Sequence, residues 1–237
     1  MSAAEAGQPL AQRTPDTDAV QDELARQPAA ETCDEAARQR SPNDHEPQRD
    51  VIPAPWAEGR AAVLGEGPLD APMMLVGEQP GDEEDRAGRP FIGPAGRLLD
   101  RALQEAGIDR TACYVTNAVK HFKYVQRGPR RLHQTPDAGD IAHYRPFLMR
   151  EIVQVAPGLL VALGATASQA LLGRKVPITK MRGEVLSGPG GMPILLTVHP
   201  SYLLRLPDEA AKRAEWGRFV HDLGVALQTS RALPRRA

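Results

Sequence analysis

The amino-acid sequence predicts an α/β protein, a three-layer α/β/α sandwich built on a central four-stranded parallel sheet. From residue 73 onward, short apolar runs alternate with helix-like stretches, the pattern of strands joined by crossover helices. The run Leu159-Leu160-Val161-Ala162-Leu163 is apolar at every position, as a strand covered on both faces demands. In such folds ligands sit beyond the carboxyl ends of the strands, and here polar or glycine residues stand at all four of those ends.

Met73-Met74-Leu75-Val76 is the first strand and runs into Gly77, Glu78 and Gln79. Pro94-Ala95-Gly96 opens a helix through Leu98, Leu99, Ala102, Leu103 and Ala106, one apolar face stopped by Gly107. Tyr114-Val115-Thr116 is the second strand and ends at Asn117. Residues 120–138 read as a polar, basic loop, and 139–155 as a helix with Ile141, Phe147, Leu148 and Ile152 inward. The third strand, 158–164, precedes a helix from Ala165 to Leu172 stopped by Gly173. Ile194-Leu195-Leu196-Thr197-Val198 is the fourth strand, ending at His199, and a last helix covers roughly 207–227.

Before this body lies a different composition. Residues 1–50 contain no aromatic residue and hold five arginines against eleven acidic side chains. Such a segment buries too little apolar surface to offset its ordering entropy, so it is expected to be a disordered acidic extension. Residues 51–230 are then the folded domain, and 231–237 a flexible tail. The body is mildly basic, which suits a nucleic-acid partner and excludes nothing else by itself. There is no apolar run long enough to span a membrane and no secretory pattern at the N-terminus. Two cysteines, Cys33 and Cys113, make neither a disulfide framework nor a CxxC zinc site, and a cytoplasmic monomer is expected.

Gly77-Glu78-Gln79-Pro80-Gly81 is, taken alone, an ordinary strand-to-loop turn. Its continuation, Asp82 to Gly96, is not ordinary. Glycines recur where a backbone could press close to a ligand, and Phe91 stands alone in a loop where it could stack on a flat ring.

The string GEQPGDEEDRAGRPFIGPAGRLLDRAL resembles the first signature of the bacterial and archaeal uracil-DNA glycosylases that carry an iron–sulfur cluster, and His199-Pro200-Ser201 resembles the second. The resemblance covers about residues 55–228. Within that superfamily, Thr116 to Lys123 followed by Arg130-Arg131-Leu132-His133 looks like the UdgX class, in which a basic loop ends in a histidine that bonds to deoxyribose C1′. The resemblance implies uracil-containing DNA as substrate, single-stranded by preference, with free uracil as a product and association with the nucleoid. It implies Glu78, His133 and His199 as catalytic residues. It further implies that Phe91 stacks on uracil, Asn117 reads its polar edge, Gln79 meets its carbonyls, and Gly77, Pro80, Gly81, Asp82 and Ser201 line the pocket. Lys120, Lys123, Arg130 and Arg131 would contact phosphates.

The chain departs from the cluster-bearing pattern. It lacks the N-terminal CxxC pair, and Tyr144 stands where the last cysteine would precede Arg145-Pro146-Phe147. No cluster is therefore expected. Three outcomes stay open at this stage: covalent capture through His133, turnover by an activated water, and a non-catalytic DNA-binding module.

Overall fold

The computed structural model describes residues 61–233; the expected N-terminal extension lies outside them. A five-stranded sheet forms the centre, with strands β1 (Met73–Gly77), β2 (Cys113–Asn117), β5 (Leu159–Leu163), β6 (Val185–Ser187) and β7 (Pro193–Thr197) in the order β2-β1-β5-β7-β6. The four expected strands are mutually parallel. Beyond the expectation, β6 adds an antiparallel edge, its Val185 opposite Leu195. All residues of β1, β2 and β5 are buried, because helices cover both faces.

On one face lie α2 (Pro94–Glu105), α6 (Pro200–Leu204) and α7 (Glu209–Ala232), with α7 against β5 and β7. On the other lie α3 (Ala138–Val155) and α4 (Ala165–Leu172), packed on one another, with α4 against β5 and β1; the short α5 (Ile178–Met181) packs on β7. Leu99, Leu103, Leu148, Leu171, Phe219 and Leu223 carry those helices into one continuous core with the sheet. Among the described residues no helix is long and apolar enough to cross a membrane.

Two further elements differ from expectation, both beside the strand ends. Asp82–Ala87 forms a short helix, α1, rather than loop. It has no apolar stripe to announce it; Glu84 holds its entry by accepting the backbone N–H of Gly81 at the cap. The expected basic loop is a β-hairpin, β3 (Tyr124–Arg127) and β4 (Arg130–His133), turning at Gly128-Pro129 with Gly128 at φ 57°. Arginines occupy so much of it that its alternation is masked, and long-range anchors hold it in place.

Candidate active site

At the sheet's carboxyl edge, β1 and β2 continue pairing past their ends: Ala118 N–H donates to Gly77 O at 2.9 Å and Val119 N–H to Glu78 O at 3.0 Å. That ladder fixes Gly77 and Glu78 against Asn117. A methyl group on Gly77 would lie 2.4 Å from Asn117 Oδ1 and 2.5 Å from Phe91 Cζ, so only glycine lets amide and ring converge there. Gly77→Ala is therefore expected to push Phe91 or Asn117 out of place. A displacement of about an ångström is worth about 10²-fold in rate, to be read as the single-turnover rate of the base release that the resemblance implies, with the circular dichroism of the fold unchanged.

Phe91 itself is held at φ 56°, a conformation a bulky residue adopts only when its surroundings impose it. Its carbonyl approaches the start of α2 so closely that a Cβ on Gly96 would stand 1.8 Å from the oxygen. Glu84 spans the same segment, accepting from Gly81 and Gly93 backbone N–H groups, and burial pushes its carboxyl above the usual range against those bonds. The result is a buried Phe91 ring beside Gly77, its centroid 6.2 Å from the ring of His199.

Asn117 is buried, and its amide nitrogen has no hydrogen-bond partner among the described residues. Leaving a buried donor unpaired is unfavourable by about 1–3 kcal/mol. Such a group beside an aromatic face is what a polar heterocycle with carbonyl oxygens would satisfy.

His199 caps α6. Its Nδ1 accepts the N–H of Ser201 at 3.2 Å and lies 2.8 Å from the Ser201 hydroxyl. Accepting at Nδ1 leaves the proton on Nε2 as an outward donor. Burial drives the ring's pKa down to about 4, against the pull of the Glu78 carboxylate, so the imidazole is neutral at ordinary pH.

Glu78 faces two partners. Its Oε1 lies 3.1 Å from His133 Nε2, and its Oε2 accepts from the Thr166 hydroxyl at 2.9 Å. Burial works against the charge, but those two hydrogen bonds and the nearby His199 outweigh it and hold the carboxyl below its ordinary range. Thr166 is not among the expected site residues, because it falls inside the helix expected from Ala165 to Leu172; a hydroxyl two residues past the strand end at Gly164 was the available signal.

His133 reaches Glu78 because the hairpin is pinned. Gln79 Nε2 donates to the carbonyls of Lys123 (3.3 Å) and Gln134 (3.0 Å), and its Oε1 accepts from Lys123 N–H at 3.1 Å. The Gln79 side chain is thus committed to the hairpin base, so of its two expected modes of contact to the uracil carbonyls, side chain or backbone, the backbone one remains. Pro80 is buried in the same turn and Gly81 caps α1.

Arg131 is corrected as well. It is paired to Asp82 and Asp85 of α1 and lies over the rings of Phe122 (5.2 Å) and Tyr124 (5.0 Å), an anchor rather than a phosphate ligand. Asp82, expected to line the pocket, is one end of that anchor. Lys120 is fully buried, bonded to Glu151 at 2.6 Å, Thr116 at 2.7 Å and the Asn117 carbonyl at 2.8 Å, so it cannot reach DNA. Lys123 is tied to Asp137 (2.9 Å) and Asp140 (2.8 Å) and is neutralised. Of the four expected phosphate contacts Arg130 alone remains exposed and without an ion pair among the described residues, with Arg127 directly across the ladder in the same condition.

Residues 64–224 match the family described as the uracil DNA glycosylase superfamily. The chain is 46% identical over 144 residues to a type-4 uracil-DNA glycosylase of Thermotoga maritima, covering 60% of this chain and 71% of the relative. It is 36% identical over 171 residues to a type-4 uracil-DNA glycosylase of Pyrobaculum aerophilum, covering 69% and 81%. A third such enzyme, from Saccharolobus solfataricus, is 34% identical over 160 residues.

These relatives are named type-4 uracil-DNA glycosylases, the group whose cluster-bearing pattern the sequence resembles, so the expectation that no cofactor is present does not stand. The ligands for such a group are not found among the described residues, which contain no cluster of three His, Cys, Asp or Glu able to hold a metal ion. Cys113 is buried, its thiol pushed up to about 11 by that burial, and Tyr144 places its hydroxyl 2.9 Å from His121 Nδ1. Two cysteines in the whole chain do not supply four thiolates. The cofactor is therefore unassigned.

Proposed function

Since the chain belongs to the uracil DNA glycosylase superfamily, we propose that it excises uracil from single-stranded DNA and ends its one turnover bonded to the deoxyribose through His133, as in the UdgX class. Glycosidic cleavage follows from the family; capture is the finer claim. The observation that carries it is the 3.1 Å contact between His133 Nε2 and Glu78 Oε1. A hairpin held only by chance over a pocket would not direct its terminal histidine onto the Glu78 carboxylate.

The chemistry runs from these groups. Extruding a base from a stack costs a few kcal/mol, offset by stacking and edge hydrogen bonds in the pocket. Phe91 supplies the face and the unpaired Asn117 amide the edge contact. As the bond from uracil N1 to C1′ breaks, its electron pair leaves with the base, and the neutral His199 donates from Nε2 to O2 where charge develops. The ionised Glu78 stabilises the cationic sugar. A lone pair of the His133 imidazole then closes on C1′, and the other ring nitrogen keeps its proton as the counter-charge to Glu78. An N-alkylated imidazolium is a poor leaving group, so the protein is consumed.

Incubation with uracil-containing single strands, followed by a denaturing gel, tests this. A band resistant to heat and SDS, with uracil released in equal amount, is the expected result. Alkali-labile sites without that band would leave a turnover glycosylase in which Glu78 activates water. No uracil release at all would leave a binding module.

The exposed Arg127 and Arg130 are the phosphate contacts this reading needs. Each contact to a single strand adds about 0.7 to the slope of log affinity against log salt. Arg127→Ala with Arg130→Ala is expected to weaken binding and flatten that slope by about 1.4, measured by fluorescence anisotropy across a salt series.

A further inference from the structure

We infer that Thr166 is a positioning residue for Glu78: its hydroxyl fixes which carboxylate oxygen faces His133, and so sets the partition between capture by imidazole and attack by water. The inference rests on the reading above, in which Glu78 and His133 act together, and adds to it a group from a separate part of the chain.

The geometry begins at Gly164, where β5 passes into α4. Its φ of 94° and missing side chain let that turn close on the end of β7, where a Cβ would stand 2.9 Å from His199 Cβ. The Gly164 N–H donates to Thr197 O at 2.9 Å and fixes the approach. Thr166, two residues on, is buried, and its Oγ1 donates to Glu78 Oε2 at 2.9 Å across 88 positions of sequence. Oε1 is left for His133 Nε2.

A carboxylate turns readily about its last bond, because that torsion is broad and nearly two-fold. With one oxygen free, Glu78 could swing off the imidazole and present both oxygens to a water. A threonine hydroxyl stops this well, since branching at Cβ leaves its own χ1 few choices. Fixed at Oε2, the carboxylate keeps Oε1 on the His133 ring and holds the ring's edge toward the sugar. The same hydrogen bond favours the charged carboxylate over the acid.

The test compares Thr166→Val, Thr166→Ala and Thr166→Ser with the natural protein. After reaction with a uracil oligonucleotide and an SDS quench, the ratio of covalent adduct to free abasic strand is expected to fall at least ten-fold in the Val and Ala variants. Ser is expected to restore it, having the hydroxyl without the branch. Loss of a bond to the charged form raises the Glu78 pKa, so the acid limb of adduct formation moves to higher pH in Val and Ala. In parallel, the Glu78 carboxyl carbon is titrated by 13C NMR in the DNA-free proteins, and its midpoint is expected to rise in the same two variants. An unchanged midpoint in a variant with native melting behaviour overturns the inference, whether or not the natural protein releases uracil. Absence of uracil release from the natural protein would instead overturn the functional reading, while the midpoint still decides the link between Thr166 and Glu78. The Ala variant carries the comparison should Val fail to fold.

Discussion

Replacing His133 by Ala is expected to abolish the heat- and SDS-resistant adduct while uracil release continues. The side chain sits at the end of β4, 47% exposed, so its removal opens no cavity in the core. The backbone ladder and the Arg131 and Gln79 anchors stay intact, and the hairpin keeps its place. With the imidazole gone, Glu78 Oε1 loses its partner and turns to water. The protein should then cycle, leaving alkali-labile sites in excess of its own concentration. The change is all-or-none for the adduct and at most about ten-fold for release, a single proton-transfer partner being worth at least that much where it does participate. A time course on denaturing gels with and without alkali reads both. An adduct that survives the substitution would place the nucleophile elsewhere.

His199→Ala is expected to lower the rate of base release by about 10²–10³-fold, the usual loss when one donor to a developing anion is removed. Adduct formation should fall in step, because both products follow the same bond cleavage. The ring is neutral above about pH 4, so its donor is Nε2–H throughout the working range. Between pH 5 and 8 its protonation contributes no limb to the profile. With a folded pKa of about 4 against 6.5 for a free imidazole, burial of His199 contributes fully above pH 6.5 and is lost as pH falls toward 4. The span corresponds to about 3 kcal/mol at most. His199→Ala should accordingly unfold less steeply on acidification through that window, measurable as the melting temperature against pH.

The carboxyl edge of the sheet was legible because contrast marks it. Glu78, Asn117 and His199 each close an apolar run, and in a parallel sheet such positions converge without further information. The hairpin was not legible. Its strands are held by Arg131 on Asp82 and Asp85, and by Gln79 on Lys123 and Gln134, contacts reaching across about half a hundred residues that no local pattern records. Lys120 shows the reverse error. Its residue type argues for a solvated surface, whereas Glu151 and Thr116 supply a buried site for the ammonium group. Thr166 carries neither charge nor ring, and only the turn at Gly164 gives its hydroxyl a role.

The hairpin carries one more consequence, a rule of parity. Successive side chains of a strand point to opposite faces, so Arg131 and His133 look inward together only because a single residue, Leu132, separates them. An odd number of residues between anchor and imidazole keeps both on the body; an even number turns one of them to solvent. Sequence drift can lengthen the tip beyond Arg127 and Arg130 freely, since the anchors lie below it. It cannot change the count between Arg131 and His133 by one without separating the side chain that holds the strand from the side chain that meets Glu78.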